Sequence, residues 1–140
     1  MDDGVSFATL DLEHDERFQR LRAELGVSAF GINLLLLRPG QRGRIHRHLH
    51  QEEVYAVLQG TLTLVIEGEE HELTRGRLAR VAPEIRRQLV NRGTETLAIL
   101  AVGGSAGHEG RDGRAYTSWE ETGEGRPAQE VPLPEDLGLD

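Results

Sequence analysis

Between residues 29 and 102 the chain never holds one pattern long enough to make a helix. Eight short runs follow one another: FGINLLLL, RIHRH, EVYAVL, TLTLVIEG, HELT, RLARVA, RRQLVN and TLAILAV. Between them stand clusters of turn-forming residues: RPGQRG, QGT, EGEE, TRG, APE and NRGT. Many short strands with turn signals at close, regular spacing define an all-β sandwich or barrel. In TLTLVIEG, Leu62, Leu64 and Ile66 alternate with Thr61, Thr63 and Val65, the period of a half-buried strand. EGEE then turns and HELT returns as its hairpin partner.

The flanks differ from this central region. Within residues 1–28, Phe18, Leu21 and Leu25 form one apolar helical stripe, with Asp15 or a neighbour to cap its start and Gly26 to end it. The spacing predicts a short N-terminal helix. Residues 103–140 are rich in Gly, Pro and acid and read as an irregular extension, in which Tyr116 and Trp119 are expected to pack back on the barrel or on a partner subunit.

Charge and composition exclude several classes. The 140 residues, enough for one domain, carry a net charge of −8. Residues 105–140 hold 9 acidic residues against 3 Arg, while residues 1–104 are close to balance. Such a chain lacks the positive field of a nucleic-acid binder. All 16 basic residues are Arg, which removes Schiff-base chemistry and a lysine-held phosphate loop. Cysteine is absent, so disulfides, thiolate metal sites and a cysteine nucleophile are excluded. No apolar run approaches the ~20 residues of a membrane-spanning helix. The acidic opening MDDGVSF has neither a secretory nor a basic transit pattern, so a cytoplasmic protein with no membrane partner is expected.

The chemistry lies in GQRGRIHRHLHQEEVYAVLQG, residues 40–60. His46 and His48 are two apart, so on a strand both imidazoles project from one face, roughly 7 Å apart along the backbone. Glu53 follows after enough chain to turn and can bring a carboxylate beside them. Two His and one carboxylate on one side of a divalent metal leave positions open for substrate, water or dioxygen. The full spacing, G-x5-H-x-H-x4-E-x6-G, is met at Gly40, His46, His48, Glu53 and Gly60.

This pattern resembles the first motif of the cupin superfamily. GRLARVAPEIRRQLVN, residues 76–91, occupies the place of the second motif, G-x5-P-x-G-x2-H-x3-N. The resemblance implies a cupin-type double-sheet jelly-roll barrel over residues 29–102 with a pocket inside. It implies Fe, Mn, Ni or Zn held by His46, His48 and Glu53, and a homodimer. In the second motif Ala82 stands where Pro is expected, Glu84 where Gly is, and Arg87 where the fourth metal-binding His is.

Arginine has no lone pair for a metal. An inward Arg87 would offer a planar donor fork to an anion. Two pictures follow. In one, the three ligands hold a metal and Arg87 grips an anionic substrate, in a metal-dependent oxygenase or isomerase. In the other, Arg87 pairs with Glu53 and replaces the metal, in a non-catalytic module that binds or senses a small ligand.

His50 shares parity with the two His and is a candidate fourth ligand, although the spacing places it in the turn before Glu53. Gln88 is a weaker candidate. Tyr55 has the parity of Glu53 and is assigned to the pocket as a substrate-binding hydrogen-bond donor; Asn33 is a further polar candidate. Glu52 should face outward. His14, His71 and His108 fall in charged or Gly-rich surroundings and are expected to be solvated. GGSAG at 103–107 matches G-x-S-x-G but lacks the following helix and downstream acid and His of a hydrolase.

Overall fold

The computed structural model describes residues 3–104 and 112–139. Its strands are β1 (Phe18–Gln19), β2 (Gly31–Leu37), β3 (Ile45–His48), β4 (Glu52–Gln59), β5 (Leu62–Ile66) and β6 (Glu69–Leu73). They continue as β7 (Leu78–Val81), β8 (Arg87–Val90), β9 (Leu97–Gly104), β10 (Gly113–Tyr116) and β11 (Arg126–Pro127). One α-helix, α1 (Leu21–Leu25), lies between β1 and β2.

Two antiparallel sheets result. One runs β1-β2-β9-β4-β7 and the other β11-β10-β3-β8-β5-β6. Chain neighbours therefore often lie in opposite sheets, as in a jelly-roll barrel. The eight apolar runs of the sequence are β2 to β9 in order. The core lies between the sheets, where Leu35, Leu37, Val57, Leu64, Leu89 and Ile99 are among the buried side chains.

The run Leu34–Leu37 is buried on both faces because each face has its own cover. Leu35 and Leu37 point into the barrel. Leu34 and Leu36 pack outside it with Leu21 of α1 and Ala98. The same double burial applies to β5, where Thr63 and Val65 are buried along with Leu62 and Leu64. The expected half-buried alternation is therefore absent from that strand.

Turn chemistry sets the barrel's corners. Glu67 and Gly68, with φ of 48° and 86°, close the β5–β6 hairpin. Gly60 has φ 80°, and a Cβ there would lie 3.2 Å from the Leu97 Cα, so both conformation and close approach require glycine.

The N-terminal helix is shorter than its stripe. Phe18 pairs with Leu35 as part of β1 and is exposed, so the helix starts only at Leu21. Its N-cap, Arg20, makes no side-chain cap, while Gly26 closes the end in the left-handed conformation with φ 74°. In the C-terminal extension, β10 pairs with β3, and Tyr116 is buried. The Arg86 guanidinium lies 5.2 Å from the Tyr116 ring centre and 5.8 Å from that of Trp119.

Candidate metal centre

β3 projects His46 and His48 from one face toward the barrel interior, and β4 brings Glu53 to meet them. One ligand atom from each of the three lies within 4.8 Å of the others. His48 Nε2 is 3.1 Å and His46 Nε2 3.7 Å from Glu53 Oε1. Ligand atoms about 2.1 Å from a shared ion stand roughly 3.0–3.4 Å apart, so the trio is close to metal-binding separation.

Hydrogen bonds set the tautomers. His48 Nδ1 lies 2.7 Å from Asp112 Oδ1, and a carboxylate only accepts, so Nδ1 carries the proton. His46 Nδ1 similarly donates to the Arg44 carbonyl at 3.1 Å. In the neutral rings both Nε2 atoms then present lone pairs toward Glu53. His48 Nε2 is buried and has no hydrogen-bond partner. A lone pair facing a carboxylate at this distance requires a cation between them, either a proton or a metal. The donor set and its supporting bonds thus fit a divalent metal.

Electrostatics give the same picture. Burial alone would raise the Glu53 carboxyl, but the facing imidazoles of His46 and His48 hold it well below its ordinary value. Burial alone would lower His48, but Glu53 and then Asp112 outweigh it and raise its pKa. Without a metal, a proton therefore takes the metal's place. Tyr55 is buried and donates its hydroxyl to Glu53 Oε1. Burial, followed by the Glu53 charge, pushes that phenol well above its usual range, so it remains a donor.

The trio opens onto a cavity of about 270 Å³. Leu35, Leu37 and Leu89 form apolar walls, and Asn33 and Tyr55 also line it. Ala128 and Leu133 enter from the C-terminal extension, and Arg17 and Arg44 from the segments before β1 and β3.

Arg87 is placed differently from the substrate grip expected of it. It is fully buried and does not line this cavity. Its terminal nitrogens donate to the carbonyls of Val81, Ala82, Pro83 and Ile85, tying down the loop between β7 and β8. Its Nη2 is 3.7 Å from Glu53 Oε1, a charge contact beyond hydrogen-bond length. Strand parity predicts its inward direction but not its depth.

His50 is exposed in the turn after β3 and lies outside the trio. Its backbone N–H donates to Asp112 Oδ2 at 2.7 Å. Gln88 is buried and donates to the Gly43 carbonyl instead. Glu52 is exposed and pairs with Arg80. His71 is exposed on β6 and His14 half-buried before β1. His108 and Ser105 of GGSAG lie outside the described residues.

Asp112 was not singled out by the sequence. No motif marks it, and it follows a Gly-rich stretch far from the His pair. It is buried, and besides His48 it accepts from the backbone N–H groups of His50 and Gln51.

The fold is a small double-sheet β-barrel whose trio could hold a metal. Residues 33–103, half of the chain, match the cupin domain family, and the chain belongs to that family. Among solved structures, a sugar phosphate isomerase of the cupin superfamily from Silicibacter pomeroyi is 34% identical, with TM-score 0.62, over 72% of this chain and 64% of that one. A protein from Acidithiobacillus ferrooxidans is 30% identical, with TM-score 0.57, over 61% of this chain and 56% of its own length. The chain thus spans less than two thirds of both. A Cupin 2 conserved barrel domain protein from Salinispora arenicola is 28% identical, with TM-score 0.59, over 70% of this chain and 82% of that one. No curated protein sequence matches the chain. Among the described residues, no helix is long and apolar enough to cross a membrane.

Proposed function

We propose that this cupin is a metal-dependent isomerase of a small organic anion, with His46, His48 and Glu53 as its metal ligands. The carrying observation is the buried, unpartnered Nε2 of His48, which faces the Glu53 carboxylate across a gap suited to a cation. A divalent ion held there supplies Lewis-acid polarisation of a carbonyl or hydroxyl oxygen. The chain's own residues do the rest. Asp112 and the Arg44 carbonyl orient the two imidazoles, and Tyr55 holds Glu53. The leucine walls exclude water from the bound molecule. The isomerase assignment is supported by the 34% identical relative described as a sugar phosphate isomerase.

A specific contact supports a second reading, a metal-free binding module. It is the approach of Arg87 to Glu53 at 3.7 Å. The weaker point of that reading is that the two terminal nitrogens of Arg87 are directed to four carbonyls, although its buried Nε has no partner.

The test is proton exchange. Protein reconstituted with Fe(II), Mn(II), Ni(II), Zn(II) or Co(II) is incubated in D2O with short hydroxycarbonyl acids and triose phosphates, and NMR follows exchange beside the carbonyl. Exchange in wild type that is lost in His46→Ala supports the isomerase. Metal binding without exchange or turnover of any of these compounds contradicts it and leaves a binding protein.

A further inference from the structure

We infer that Arg17 and Arg44 form an oxyanion subsite in the pocket wall, which reads the carboxylate or phosphate end of the ligand. This deepens the proposed function and rests on it only for the ligand's other end, at His46, His48 and Glu53. The two arginines come from separate segments, yet both line the cavity. Burial lowers the Arg17 pKa, the Asp136 charge partly offsets this, and the neighbouring Arg44 charge lowers it further. Two neighbouring guanidiniums beside an apolar cavity are stable when an anion lies between them.

Their existing bonds leave donors free. Arg44 gives its Nε to the Val131 carbonyl at 2.5 Å, and among the described residues no bond is seen from its terminal nitrogens. Arg17 gives Nη1 to the Arg42 carbonyl at 2.9 Å. Its one acidic contact is Asp136, 3.8 Å from Nη2, with a side chain 59% exposed. So long and exposed a pair contributes little and yields readily to a better anion.

The C-terminal segment holds the subsite in shape. Arg42 Nε donates to the Glu135 carbonyl at 2.9 Å, and the Leu137 N–H to the Gly40 carbonyl at 2.8 Å. Val131 is buried, and Leu133 completes the wall. The segment thus fixes Arg44 through Nε and leaves its terminal fork for a ligand. This assigns a ligand class: a short molecule with one acid group for the metal-ligand end and a second carboxylate or phosphate for the arginines.

Calorimetry on the full chain with phosphoglycolate, succinate and glycolate tests the assignment. Phosphoglycolate or succinate should bind at least about tenfold more tightly than glycolate, which has no second acid group. Tighter phosphoglycolate identifies a phosphate reader, and tighter succinate a carboxylate reader. Arg44→Gln and Arg17→Gln should bring the two-ended probes to the glycolate level while metal content stays at the wild-type value. If Arg44→Gln does not fold, Arg44→Lys keeps the charge without the fork and should lose most of the preference. Equal affinity for all three probes, or an unchanged preference in the variants, overturns the subsite. An Arg44-dependent preference in protein that never takes up metal upholds the subsite while removing the metal reading.

Discussion

His48 and Asp112 are 64 residues apart in the chain, yet His48 Nδ1 lies 2.7 Å from Asp112 Oδ1. The contact joins the barrel's ligand strand to the segment entering β10, and it fixes which nitrogen of His48 is free. Removing the carboxylate should release the ring. Asp112→Ala is expected to weaken metal binding about 10–100-fold, as loss of a supporting carboxylate does elsewhere. It should also lower stability, because the His50 and Gln51 N–H groups lose their acceptor. Competition with a chelator of known affinity checks the first effect, and thermal melting the second.

Arg87 sets a trade between stability and metal affinity. Arg87→His removes a positive charge 3.7 Å from Glu53 and places an imidazole at the position of the second cupin motif. Metal binding should tighten by about tenfold or more, because a cation no longer competes with the Arg87 guanidinium for Glu53 and gains an imidazole donor. The metal-free variant should melt lower than wild type, because carbonyls of the β7–β8 loop lose donors. Chelator competition and melting curves with and without metal measure both effects.

The metal-free protein should have a characteristic pH dependence. Glu53 lies below its ordinary value of 4.5, so its contribution is present above 4.5 and is lost as pH falls through the depressed value. His48 lies above its ordinary value of 6.5, so its contribution is complete below 6.5 and is lost as pH rises through the raised value. The trio therefore stabilises stripped protein most between about pH 4.5 and 6.5. Melting temperatures of stripped wild type minus those of stripped His48→Gln should be largest in this window and decline above it. A difference that is flat with pH would contradict the shared-proton arrangement.

The outer cluster under α1 should be separable from the site. Leu34 is fully buried against Leu21, Leu36 and Ala98, on the far side of the sheet from the cavity. Leu34→Ala is expected to cost about 2–5 kcal/mol. That corresponds to a melting temperature lower by about 5–20 °C. Metal stoichiometry should be unchanged, which elemental analysis of the folded variant checks.

Local patterns made the barrel and the ligand trio readable, because both depend on short-range periodicity. The strands from Gly31 to Gly104 follow from short apolar runs between turns. His46 and His48 share a face because strands have period two. Phe18 belongs to a helical stripe in sequence, but pairing of its backbone with Leu35 overrides that propensity. Burial of Thr63 and Val65 depends on what covers the outer face of β5, which its own sequence does not encode. Asp112, Arg17 and Arg44 were not legible for a related reason: each reaches the site through long-range packing. For Arg87, the residue type announced a charge near the site, but the carbonyls that absorb its donors are visible only in the folded loop.

Metal per chain is the most direct measurement. Protein purified without an affinity tag or chelator is analysed for its elements, and stripped protein is then titrated with Co(II) and followed by its visible absorption. The account predicts close to one divalent ion per chain, lost in His46→Ala and His48→Ala, with Co(II) bands that vanish in the same variants. Wild-type protein that carries no metal and develops no Co(II) bands on titration would contradict it, and would assign the charge opposite Glu53 to Arg87 and a proton on His48.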